Sequence, residues 1–97
     1  MGCSACDPVD VGWEIRVPDD LTRAVAAARR AVESGVLRDA PADSVVASAF
    51  GALRVDGPWP DVVDCRLRCV HCGAAFLLAA ETYHGSGGRW VREAARA

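Results

Sequence analysis

The chain has 97 residues, a formal net charge of −2 and 25% charged residues, a length that predicts one domain over residues 1–97 with a modest core. The acidic balance disfavours a general polyanion binder. No apolar run reaches the roughly 20 residues of a membrane-spanning helix, and the N-terminus shows neither a basic n-region nor an apolar h-region, so no membrane association and a cytoplasmic location are expected. All eleven basic residues are arginine, and lysine, asparagine and glutamine are missing; that bias points to a GC-rich, bacterial coding sequence rather than to a functional choice. Met1, Gly2 and Cys3 open like a lipidation signal, but Cys6 stands where myristoylation requires Ser or Thr.

In chain order, residues 1–10 form a knuckle and turn around Cys3 and Cys6. Residues 11–17 alternate, with Val11, Trp13, Ile15 and Val17 on one face, which predicts a strand stopped by Pro18. Asp19 and Asp20 then supply a cap for a helix over about 20–34. Leu21, Ala24, Val25, Ala28 and Val32 line its apolar side, Arg23, Arg30 and Glu33 its far side, and Gly35 ends it. Residues 36–60 admit two readings: a second helix over about 42–53, or a long loop with a short strand. Pro58, Trp59 and Pro60 make a rigid break.

The last third reads as β structure. Val63, Cys65 and Leu67 face one way, and Val62, Asp64, Arg66 and Arg68 the other. After a second knuckle, residues 75–83 predict a strand with Phe76, Leu78 and Ala80 on one face. Gly85 to Gly88 predicts a turn, Arg89 to Arg92 a last strand, and residues 93–97 a frayed tail.

The chemistry concentrates in Cys3, Cys6, Cys69 and Cys72. Two Cys-x-x-Cys pairs suit a structural Zn²⁺ ion, because each tight turn aims two sulfurs at one ion and its amides stabilise the thiolates. Without a secretory signal, such spacing favours metal over disulfides. Gly73 after Cys72 eases a left-handed turn; Asp7 takes the matching place after Cys6, a mild departure. Unbound thiols and a redox dithiol compete with this reading, but redox chemistry places Cys-x-x-Cys at a helix N-terminus, and neither pair opens a helical pattern. Cys65 reads as a core thiol and His71 as a solvent-facing knuckle residue.

Two knuckles of this kind resemble the zinc-ribbon superfamily, in which they share one tetrahedral zinc; the likeness covers Cys3 to Cys6 and Val63 to Trp90, and the intervening helix would elaborate it. The run with Cys69, Cys72, Gly73, Phe76, Leu78 and the segment ETYHGSGG (81–88) before Trp90 also resembles the tail of a group of short bacterial proteins.

Outside the cysteines, Tyr83, His84, Arg89 and Trp90 flank the glycine turn. A plain hairpin loop is set against a ligand or partner site there, since neither Gly-x-Gly-x-x-Gly nor the Walker pattern occurs. Arg66 and Arg68 share a strand face, read as a charged solvated surface or as a docking face for an acidic partner or nucleic acid. Of Trp13, Trp59 and Trp90, Trp59 between two prolines is the candidate for exposure. The expectation is an α+β fold: a small antiparallel sheet with zinc-ribbon-like knuckles and one or two helices packed on it. The function expected is a non-catalytic, regulatory or immunity-type module that binds another protein. The alternatives are a nucleic-acid-binding ribbon using Arg66, Arg68, His71 and Arg89, or a small-ligand or enzyme site at the glycine turn.

Overall fold

The computed structural model describes residues 3–40, 50, 53–55, 57–82, 85 and 87–93. It is an α+β fold with, among the described residues, five antiparallel strands and one helix: β1 (Trp13–Ile15), α1 (Pro18–Glu33), β2 (Leu37–Asp39), β3 (Val62–Cys69), β4 (Ala75–Glu81) and β5 (Gly87–Glu93). The sheet order is β1-β5-β4-β3-β2, so the N-terminal strand lies beside the last one.

The expected N-terminal strand is shorter than its alternation suggested. Pairing with β5 holds only three residues, Trp13 against Trp90 through Ile15 against Gly88. Past Ile15 the chain turns into α1, and Val17 becomes the N-cap, exposed rather than inward. The helix therefore starts at Pro18, where a missing amide costs nothing. Asp20 reaches back, accepting from the amides of Arg16 (2.9 Å) and Val17 (3.3 Å), half of a capping box. At the other end Gly35 has φ +81°. The amides of Gly35 and Val36 donate to the carbonyls of Val32 and Ala31, at 3.0 and 2.9 Å, a Schellman closure that needs a residue without Cβ strain.

Leu21, Ala24, Val25 and Ala28 of α1 are buried, as their spacing requires. They face the sheet side formed by Val63, Cys65, Leu67, Phe76, Leu78 and Trp90, aligned in register across β3, β4 and β5. Phe76 and Trp90 lie 5.9 Å apart, centroid to centroid, within the range of favourable aromatic pairs. Alanine supplies most of the helix's buried side, so the core is thin and metal crosslinking is physically useful.

The strand β2 answers one half of the ambiguity in residues 36–60. Three residues are too few for a period to show, and pairing with the end of β3, Leu37 against Cys69, creates the strand. The helix expected over 42–53 lies outside the described residues apart from Phe50 and Leu53, both buried. Arg29 holds this corner by donating to the Leu53 carbonyl and covering the Phe50 ring.

The glycine turn is also corrected. Gly87 and Gly88 belong to β5. A Cβ on Gly88 would run into the carbonyl oxygen of Ala79, and one on Gly87 into that of Ile15. These glycines permit close backbone approach on both flanks of β5. Strand β4 ends at Glu81 rather than at 83.

Cys65 is completely buried, and burial, then the charges of Asp39 and Asp64, push its thiol up to about 12. It should resist a thiol alkylating reagent in native protein and react on denaturation; rapid native modification, read by mass spectrometry, would contradict this. The folded pKa lies above the ordinary value of 9.0, so the unfolded chain loses this proton first. Stability tied to Cys65 is therefore full below about 9 and lost as pH rises toward about 12. A Cys65→Val variant should show a smaller drop in denaturation midpoint across that window.

Candidate metal centre

The two knuckles come together at one end of the sheet. Cys69 ends β3, and Cys69 to Gly73 forms the turn into β4. The Cys69 amide donates to Ala74 and the Gly73 amide back to Cys69, at 2.9 and 3.0 Å, with Gly73 at φ +77°. The first knuckle repeats the turn: the amides of Cys6 and Asp7 both donate to the Cys3 carbonyl. Asp7 does so with no positive φ, so its replacement of glycine is harmless. Trp90 delivers this segment. Its indole donates to the Asp10 carbonyl at 2.8 Å, and its own carbonyl accepts from Gly12 at 2.9 Å.

The sulfurs of Cys3 and Cys6 are 3.8 Å apart, Cys3 and Cys69 3.6 Å, and Cys6 and Cys72 3.6 Å. All four lie within 4.8 Å of one another. A tetrahedral ion with metal–sulfur bonds of about 2.3 Å requires sulfur–sulfur edges of about 3.8 Å. The three separations given match such edges, and the four thiols are close enough together to share a single ion, in a zinc-ribbon-like arrangement. They are free cysteines. Among the described residues no other group of three or more Cys, His, Asp or Glu is placed to hold an ion.

The electrostatics point the same way. Burial opposes ionisation of Cys69, but the amides of Cys72 and His71 and the thiols of Cys3 and Cys72 outweigh it and draw Cys69 down to about 6. At Cys72 the Ala74 amide favours the thiolate, yet desolvation and the sulfurs of Cys6, Cys69 and Cys3 push it up to about 11. One thiolate forms readily and its neighbours then resist. A divalent ion between them reverses that repulsion and deprotonates the set.

A fifth residue reaches the centre, and the sequence reading missed it. Arg92 of β5 donates from Nη2 to Cys6 Sγ at 3.0 Å and from Nη1 to Asp7 Oδ1 at 3.4 Å, and it covers the Phe76 ring at 5.2 Å. The available signal was alternation: Trp90 and Arg92 share a face, and an apolar Trp90 turns Arg92 inward.

The other expected site residues scatter. Trp90 is fully buried, so it is a core residue and not part of a docking surface. Tyr83 and His84 lie outside the described residues. Arg66, Arg68 and Arg89 stand on the sheet face opposite α1. Arg66 pairs with Glu93 at 2.8 Å, spanning β4, and Arg68 donates to the Gly73 carbonyl at 2.9 Å. His71 is exposed, and its amide, not its ring, is what faces Cys69 Sγ, at 3.4 Å. Trp59 is half-buried, its indole donating to Arg54, so the exposure expected there is only partial. No helix among the described residues is long and apolar enough to cross a membrane. Comparison with protein-family models, with curated proteins and with solved structures finds no match for this chain.

Proposed function

We propose that this protein is a small zinc-stabilised binding module whose partner is another protein. The gathering of four sulfurs within 4.8 Å of one another carries the reading. A four-thiolate site is closed, so its ion builds structure and offers no open position to a substrate. Partner binding then falls to the outer surface, and the sheet face opposite α1 suits it. Arg66, Arg68 and Arg89 lie on that face with Asp64, Glu81 and Glu93 interleaved, and Val62 is exposed at its rim. Charges of both signs on one face fit a protein surface better than a uniform polyanion.

Elemental analysis of chain purified under reducing conditions should return one zinc per chain, and none after Cys69→Ala. Iron, the other common occupant of a tetrahedral sulfur site, would correct the metal; no metal at all would overturn the module. A pull-down should recover a protein, and less of it when Arg66 and Arg68 are changed to Ala. A gel shift that weakens steeply with salt would favour the nucleic-acid alternative.

One observation favours a small-ligand reading. A cleft of about 190 Å³ opens beside the glycine turn, lined by Ile15, Val17, Leu21, Trp59, Thr82 and Gly85 among others. Apolar cavities of roughly 150 Å³ admit benzene. Trp59→Ala without any change in small-molecule binding would remove this reading.

A further inference from the structure

We infer that Arg92 is a positioning residue of the metal centre: it neutralises the Cys6 thiolate and sets how tightly the ion is held. The inference rests on the metal reading above and names a residue from outside both knuckles. A divalent ion bound by four thiolates carries a net charge of about −2. Backbone amides stabilise that charge without cancelling it. Among the described residues, Arg92 is the cation hydrogen-bonded to a ligand sulfur.

The placement is costly. The Arg92 side chain is only 28% exposed, and its Nε is buried with no hydrogen-bond partner. A neutral thiol is a weak acceptor and offsets little of such a cost. A thiolate makes a charge-assisted bond of about twice the ordinary strength, and it is the form a metal ligand takes. The surrounding geometry keeps the guanidinium aimed. Phe76 flanks it, register places Arg92 directly opposite Phe76, and Asp7 fixes the second arm. Arg92 therefore joins β5 to the N-terminal knuckle through the charge of the centre. It also makes the sulfurs unequal. Cys6 is buried and compensated, while Cys72 on the opposite knuckle is exposed.

The test is metal affinity by competition with a chromophoric chelator, using Zn²⁺ and then Co²⁺ with the full chain. Arg92→Met keeps the stem and its contact with Phe76 but removes the charge. It should bind about 10- to 100-fold more weakly, the range for lost outer partners of metal ligands, and Arg92→Lys should recover part of the loss. The sulfur-to-cobalt charge-transfer band should move to lower energy in Arg92→Met, because an uncompensated Cys6 thiolate gives up electron density more easily. The band intensity of four thiolates should persist. Affinity within twofold of the parent, with the band unmoved, would reduce Arg92 to packing and overturn the inference. Should Arg92→Met not fold even with metal, Arg92→Lys and Arg92→Gln decide: tighter binding by Lys supports the inference, and equal binding overturns it. A parent chain that takes up no metal would instead defeat the metal reading itself.

Discussion

Stripping the metal with a chelator is expected to abolish the cooperative thermal transition of this protein. In zinc-finger peptides the ion supplies roughly 10–16 kcal/mol of apparent binding free energy at neutral pH, whereas a native domain holds about 5–15 kcal/mol of net stability. The thin core of α1, with Ala24, Ala27, Ala28 and Ala31 among its buried residues, leaves little reserve. An ion held by the four sulfurs would join Cys3 and Cys6 to Cys69 and Cys72 across more than half of the chain. Its loss would free the first knuckle from the second, leaving the three-residue strand β1 its short ladder to β5, the Trp13 indole bond to the Asp20 carbonyl and the buried Ile15. Near-ultraviolet circular dichroism during a thermal scan, with and without chelator, measures this. Cys69→Ala should reproduce the chelated state without chelator. A native melting curve in metal-free protein would refute the expectation.

The second large effect is expected at Trp90. Its side chain is fully buried and packs on Phe76. Truncating a buried aromatic to alanine costs about 3–5 kcal/mol, and Trp90→Ala also removes the donor to the Asp10 carbonyl. That sum approaches the lower end of native stability, so the variant should be unfolded or melt far below its parent. Trp90→Phe should lie between them, keeping an aromatic ring and losing the hydrogen bond. The loss should extend to the metal, because Trp90 seats the segment that carries Cys3 and Cys6. Lowered zinc occupancy in Trp90→Ala is the matching observation. A variant with an unchanged melting point would return Trp90 to the surface role that its sequence neighbours suggested.

The difference at Trp90 shows what local reading lacks. Four residues around a glycine turn looked like one patch because they are close in sequence. Alternation along β5 places Arg89 and Trp90 on opposite faces, and pairing of β5 between β1 and β4 makes one of those faces the core. The glycines misled for a related reason. Gly87 and Gly88 carry no side chain because strands press on them from both sides, a need invisible until the neighbours are known. By contrast α1 was legible almost to the residue. Its apolar period, acidic first turn and terminal glycine are all local, and packing agreed with them.

What the linear chain determined alone is the ligand chemistry and the elements whose signals are local: two knuckles with their spacing, a capped amphipathic helix, and two long alternating strands. Sulfur valence and backbone periodicity depend only on residues a few positions apart. The tertiary structure decided the rest. It gathered the four sulfurs by bringing β3 and the N-terminal turn to one corner, made a strand of Leu37 to Asp39 through pairing with β3, and turned Arg92 toward Cys6. Each of these depends on contacts between residues distant in sequence, whose free energy exists only once the sheet has formed.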